Sequence, residues 1–363
     1  MTTRTPFNPM VRSLAVAIVA LMTLAACDRQ PVVGPEQVVS ERPDHAGPAT
    51  ISNANVVEVI ARHGDDGSDY VFDLSDDVIP AGWTTFELDN HSSSTHFVYL
   101  ARVPQYTIDE AIEAEEELLD YWYEHVTRPF QWAMDVLIPG KEADPDDLSD
   151  IFTVDPATFD IFPFWLDFAT PMGGPGFTGG HLTSRTTVNL DAGYYIVECY
   201  VKNAEGDFHS YDGMIALLKV EGAPSNANEP RPTMHVNLTE GQIEVDEEIR
   251  PGLHTVAVHF EEQSEYSHLL GHDVHLVRLD GDWDAESTAE WMNWMLPEGL
   301  VSASGMRGPS TFMGGAQAMT QGNTAYVTVR LEPGEYAWVS EVPSEVGMWE
   351  TFTVPFGNPT GGR

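Results

Sequence analysis

Two cysteines occur in the sequence, Cys27 and Cys199, and the second opens a segment rich in donor atoms: Cys199-Tyr-Val-Lys-Asn-Ala-Glu-Gly-Asp-Phe-His209-Ser-Tyr-Asp-Gly-Met214. A thiolate is a nucleophile and a soft metal ligand, imidazole is a versatile nitrogen ligand, and a thioether is a weak, soft one. The segment therefore either binds something through its sulfur or buries an inert thiol. Taken singly these are ordinary core residues, with Cys199 a small hydrophobe and Met214 the start of an alternating strand (Met214, Ala216, Leu218, Val220). A His within ten positions of a given Cys and a Met at one fixed distance beyond arise together by chance in roughly one case in a hundred. Hydrolytic and nucleotide chemistry have no comparable signal, since no Gly-x-Ser-x-Gly elbow, His-Glu-x-x-His helix, P-loop or dinucleotide glycine pattern occurs.

The elements that must position these residues come in two matched sets. Pro80-Ala-Gly82 leads into an alternating run from Thr84 to Leu88 and then His96-Phe-Val-Tyr-Leu100; Pro251-Gly252 leads into Leu253 to Phe260 and then His275-Leu-Val-Arg-Leu279. Thr107-Ile-Asp-Glu110 and Ser287-Thr-Ala-Glu290 read as capping boxes at the start of a helix in each half. Met172-Gly-Gly precedes Gly193 by 21 residues and Met313-Gly-Gly precedes Gly334 by the same 21, which places Cys199 opposite Ser340. Alternating strands such as Thr187 to Leu190 and Tyr326 to Leu331, divided by Gly turns, predict an all-β chain of two tandem Greek-key β-sandwiches, each with a helical insertion. The expected division is 51–222 and 234–355, with a Pro-rich linker over 223–233 and a tail over 356–363.

A strand ending in Cys199, a loop bearing His209, and Gly213-Met214 opening the last strand of the first half resemble the copper-binding end of cupredoxins, the blue copper proteins. The resemblance extends in outline over the whole first half. It implies that His96, after the turn that follows an early strand, is the upstream ligand, so that His96, Cys199, His209 and Met214 form one type 1 copper site. The loop length is similar to that in copper nitrite reductases, including an aromatic residue, Phe208, before the histidine. In such sites two imidazoles and a thiolate form a trigonal set that accepts both Cu(I) and Cu(II), and a distant thioether tunes the potential. Strand periodicity agrees, because Cys199 shares a face with Tyr195 and Val197, and His96 with Val98 and Leu100. Phe97 stands where the family has a polar residue, a departure that bears on the hydrogen bonding that would support the ligands there. The resemblance also implies that His209 lies at the solvent-side edge. The second half keeps His275 but has Ser340 for the thiolate, and its Glu345-Val-Gly347-Met348 lacks the intervening histidine, so no type 1 site is expected there.

Beyond the site, 57 Asp and Glu against 17 Lys and Arg give a formal charge of -40, which excludes a phosphate-tracking role on nucleic acid. The 42% hydrophobic content supplies real cores. Arg4 and Arg12 precede an apolar run from Leu14 to Ala26, too short to span a membrane, with the regions of an export signal over 1–26. Its end, Leu24-Ala25-Ala26-Cys27, resembles the lipobox of bacterial lipoproteins, which implies lipid on Cys27 and a periplasmic location, the inner membrane being favoured by Asp28. A flexible tether is expected over 27–50. Lipidation would leave Cys199 alone in an oxidising compartment.

The first half also carries an insertion from Arg128 to Pro171, crowded with aromatics (Phe130, Trp132, Phe152, Phe159, Phe162, Phe164, Trp165, Phe168), which is expected to pack down as a lid. Its acids from Glu142 to Asp150 lack an ordered Ca-loop spacing and read as solvated charge. No His-x-His pair occurs, and His254, His259, His268 and His272 show no ligand spacing, so a second catalytic copper is not expected. The leading expectation is a membrane-tethered electron carrier with one copper and an unidentified redox partner protein. A copper-storing or delivering lipoprotein, or a metal-free envelope binding module, is the alternative.

Overall fold

The computed structural model describes residues 55–63, 70–137, 153–155, 160–162, 169–245, 249–263, 271–280, 283–294, 296–302, 308, 310–341 and 348–356. The export signal, Cys27, the tether, the acids from Glu142 to Asp150, His268, Glu345 and Gly347 lie outside the described residues.

The first half runs β1 (Asn55–His63), β2 (Tyr70–Leu74), β3 (Val78–Ile79), β4 (Gly82–Asn90) and β5 (Tyr99–Arg102), followed by a helical stretch. That stretch comprises α1 (Gln105–Ala114), α2 (Leu118–Trp122), a π-helical turn (Tyr123–Thr127) and α3 (Arg128–Leu137). A small hairpin of β6 (Thr153–Asp155) and β7 (Asp160–Phe162) precedes β8 (Thr170–Pro171), β9 (Thr183–Leu190), β10 (Gly193–Glu198) and β11 (Ile215–Val220). The second half repeats the order with β12 (Met234–Thr239), β13 (Gln242–Val245), β14 (Gly252–Phe260), β15 (Val274–Arg278), α4 (Ala285–Met292), β16 (Thr311–Ala316), β17 (Thr324–Leu331), β18 (Gly334–Val339) and β19 (Trp349–Val354).

The architecture is all-β, with two tandem β-sandwiches, each carrying a helical insertion. Outside the β6–β7 hairpin, their strand pairings correspond except at β3, which lies parallel to β11 and has no counterpart among the described residues. Thus β1 lies parallel to β4 as β12 does to β14, and β5 pairs antiparallel with β10 as β15 does with β18. The halves meet edge to edge, because β9 pairs antiparallel with β17 and joins both inner sheets into one of eight strands, ordered β13-β12-β14-β17-β9-β4-β1-β2. Thr186 faces Val327 at the centre of that seam, and the two are counterparts, standing equally far beyond Met172 and Met313. The pairing is thus a local pseudo-twofold.

The repeated Met-Gly-Gly motif has a steric cause. Gly174 and Gly315 are counterparts with φ of +118° and +147°, and a Cβ on either would stand 2.1 Å from the Val98 carbonyl or 2.2 Å from the Val274 carbonyl. Only glycine lets the crossing segment lie this close to the residues between His96 and β5 and to the start of β15, which carries His275.

The expected capping boxes are misplaced. Thr107 is buried inside α1, which starts after Pro104 without a side-chain cap, and α4 is capped three residues early by a reciprocal Asp284–Ser287 pair. Proline at the N-cap of α1, and Asp284 satisfying the free amides of α4, outrank the Thr and Ser signals. Among the described residues no helix is long and apolar enough to cross a membrane.

Candidate metal centre

Cys199 is the first residue past β10, and a web of backbone bonds folds the following loop back onto it. The Cys199 amide donates to the Met214 carbonyl (3.3 Å), Ser210 to Cys199 (2.8 Å), His209 to Val201 (2.8 Å) and Met214 to His209 (2.7 Å). Gly213, at φ +104°, supplies the left-handed turn that returns the chain to β11. His96 lies in the segment that leads into β5, the neighbour of β10, and is bridged on both sides to Thr178.

The structure brings three of the four expected donors to one point. His96 Nδ1 and His209 Nδ1 each lie 3.8 Å from Cys199 Sγ and 3.2 Å from one another. A triangle with those sides has a point about 2.1 Å from all three corners, within the 2.0–2.3 Å range of first-row metal bonds to nitrogen and sulfur. All three side chains are fully buried. Met214 is fully buried too and adjoins the cluster through its backbone bonds to Cys199 and His209.

Electrostatics prepare these donors unequally. Burial, with His63 nearby, lowers His96 to about 3, and burial with His96 and His63 takes His209 well below the ordinary imidazole value, so both rings are neutral with lone pairs available. Burial pushes the Cys199 thiol up to about 12, opposed in part by the nearby backbone amides of Phe97 and Val201, which favour the ionised sulfur. Beside it, Glu198 is buried and its carboxyl is raised to about 8.

Supporting contacts fix the rings. Ser92 Oγ donates to Asn90 Oδ1 (2.9 Å) and therefore accepts from His96 Nε2 (2.8 Å), which assigns the ring proton to Nε2 and leaves Nδ1 facing the sulfur. Asn90 is in turn tied to the Ser94, Thr178 and Gly179 carbonyls. His209 is not at a solvent edge, contrary to expectation. Tyr70 of β2 stacks on it with centroids 3.7 Å apart, and His63 packs against Tyr70 in turn (4.9 Å). In α3, at the start of the insertion, Gln131 accepts the Phe208 amide (2.8 Å) and Phe130 packs on Phe208, so this part of the insertion buttresses the loop.

Sequence reasoning missed Asn90, Ser92, Tyr70 and Gln131. Asn90-His-Ser92 was legible as a turn, but a turn and a hydrogen-bonding partner of His96 look alike in sequence.

The corresponding place in the second half is closed. His275 Nδ1 accepts the Phe177 amide (3.1 Å) and Nε2 pairs with Asp273 (2.7 Å), so both ring nitrogens are engaged. Asp273 also accepts the Ser340 hydroxyl (3.1 Å) and the Glu341 amide (2.7 Å). Burial raises the Asp273 carboxyl, but the charge and hydrogen bond of His275 and the hydrogen bonds from Glu341 outweigh it and leave the group below its ordinary value. Glu341 is pushed well above by burial and by Asp273, so it is the protonated partner of the pair. Among the described residues these two clusters are the only groups of three or more potential metal donors. His254 and His259 join neither, bonding instead to the Arg250 carbonyl (2.7 Å) and to His235 (3.0 Å).

No family model matches the chain, and no curated protein matches it. Among solved structures, a dithionite-reduced auracyanin from Roseiflexus castenholzii is similar over 47% of this chain and 99% of its own, at 16% identity and a TM-score of 0.22. A Cu-containing nitrite reductase from Thermus scotoductus SA-01 is similar over 82% of this chain and 61% of its own, at 12% identity and 0.19. A copper nitrite reductase from Nitrosomonas europaea is similar over 85% and 97%, at 11% identity and 0.20. Likeness this low establishes no function for this chain.

Proposed function

We propose that the chain binds one copper ion through His96, Cys199 and His209, with Met214 as the weak fourth donor, and relays single electrons. The observation that carries this reading is the inward triangle of two neutral imidazole nitrogens and one sulfur, sized for a metal at its centre. Copper so held supplies one-electron chemistry between Cu(I) and Cu(II) with little change in geometry.

The chain's own residues would do the rest. Ser92 and Asn90 hold the His96 ring, the Phe97 and Val201 amides favour the ionised sulfur, and burial under Tyr70 excludes water from His209. A thioether, two imidazoles and one thiolate favour copper over hard cations, which prefer oxygen. In the same proposal the chain is lipid-anchored through Cys27 on the periplasmic side, favouring the inner membrane, and exchanges electrons with a partner protein there.

X-ray absorption on the copper-loaded chain tests the donor set. The reading expects a shell of two nitrogens and one short sulfur at bond lengths of about 2.0–2.3 Å. A shell of oxygen and nitrogen without sulfur contradicts it.

A further inference from the structure

The residue after Cys199 and the residue after Ser340 are counterparts in the repeat, and they touch: Tyr200 donates its hydroxyl to Glu341 Oε2 at 3.2 Å, with both side chains buried. Glu341 is itself anchored, its amide bonded to Asp273, which His275 and Ser340 hold in place. A second contact lies beside His96. The Thr95 amide donates to Ser302 Oγ (2.8 Å), and the Ser302 amide donates to the Lys202 carbonyl (2.9 Å). Ser302 therefore ties the segment bearing His96 to the segment bearing Cys199. Lys202 reinforces the tie, its fully buried ammonium donating to the carbonyls of Trp294 (2.6 Å) and Leu296 (2.9 Å), and its backbone amide to Leu300 (3.0 Å).

We infer that the second half is the clamp that sets the donor geometry of the first, with Ser302 and Glu341 as its positioning residues. Neither touches a donor atom. Each holds a neighbour of one, Thr95 before His96 and Tyr200 after Cys199, and a displaced neighbour displaces the ligand because one peptide unit separates them. The cluster of Asp273, His275, Ser340 and Glu341 is then not an idle remnant: it stands where the first half gathers metal donors, and it anchors the strand end that carries the thiol. This inference deepens the copper reading and rests on it for its relevance to function, while its structural content is open to test in metal-free protein.

The experiment uses the full chain carrying Ser302→Ala with Tyr200→Phe, and Ser302→Thr as the variant that retains the hydroxyl. Hydrogen exchange in the metal-free protein should quicken about tenfold or more at Thr95–Phe97 and Cys199–Lys202 in the double variant, with strand amides of β12–β14 unchanged and the wild-type rate restored in Ser302→Thr. In the copper-loaded form the thiolate band and the electron paramagnetic hyperfine splitting should shift in the double variant only. Unchanged exchange and an unchanged spectrum in a folded double variant would overturn the clamp. Quickened exchange in protein that shows no thiolate-to-copper band in the wild type would uphold the clamp and reject the copper reading. Should the double variant fail to fold, Tyr200→Phe alone is read by the same two measurements.

Discussion

Tyr70 lies flat against His209, with ring centroids 3.7 Å apart and planes 16° from parallel. Burial, with Asp212, Glu205 and Cys199 adding to it, pushes the phenol up to about 12, so the cap is a neutral aromatic surface. An electron passing through His209 must cross that ring or reach the cluster from another side.

Tyr70→Leu removes the stacked ring and lets water approach His209. Solvent favours the more highly charged Cu(II), so the reduction potential of the loaded protein should fall by tens of millivolts, read by voltammetry. Oxidation of the reduced protein by ferricyanide should quicken several-fold. An unchanged potential would show that Tyr70 does not insulate the site.

Metal uptake should release one proton per ion. With Cys199 raised to about 12 and His96 lowered to about 3, only the thiol carries a proton that must leave between pH 6 and 8. Apparent affinity then rises about tenfold per pH unit across that range. Calorimetry with Zn(II), a redox-silent ion that takes the same donors, in buffers of different protonation enthalpy measures the count. A value near zero would mean that the thiol is already ionised in the metal-free protein.

Glu198 gives a stability signature with a definite sign. Its folded carboxyl titrates near 8 because it is buried, whereas an unfolded Glu ionises near 4.5. The neutral form suits the folded state, so its contribution is whole below about pH 4.5 and is lost as pH rises through 8. Relative to Glu198→Gln, the wild type should lose several kcal/mol between pH 5 and pH 8, seen in urea midpoints of metal-free protein. Parallel profiles for the two proteins would refute a buried neutral Glu198.

Asn90→Ala should cost about 2–3 kcal/mol in urea unfolding, because it strips a donor from the buried carbonyls of Ser94 and Thr178 and a partner from Ser92. The same variant should weaken Zn(II) binding, since Ser92 no longer fixes the His96 ring. A loss in stability with unchanged affinity would confine Asn90 to a structural role.

Much of this was legible because periodicity and spacing report strands and repeats directly. The alternation from Tyr326 to Leu331 gave β17, and the matched Met-Gly-Gly offsets gave counterparts that hold residue for residue, from Gly174 and Gly315 to Cys199 and Ser340. What spacing does not carry is contact between elements distant in sequence. Thr186 opposite Val327, Tyr200 on Glu341 and Tyr70 over His209 depend on how sheets meet, and each residue read alone is an ordinary strand or loop residue. The helix starts were misread because Thr107 and Ser287 mimic caps that Pro104 and Asp284 occupy.

Titration of the purified chain with Cu(II), followed by visible absorption, addresses the central claim most directly. The account predicts an intense thiolate-to-copper band that saturates at one ion per chain, vanishes in Cys199→Ser and is lost or strongly altered in His209→Ala. Copper that binds without that band, or a band that survives in Cys199→Ser, would contradict it.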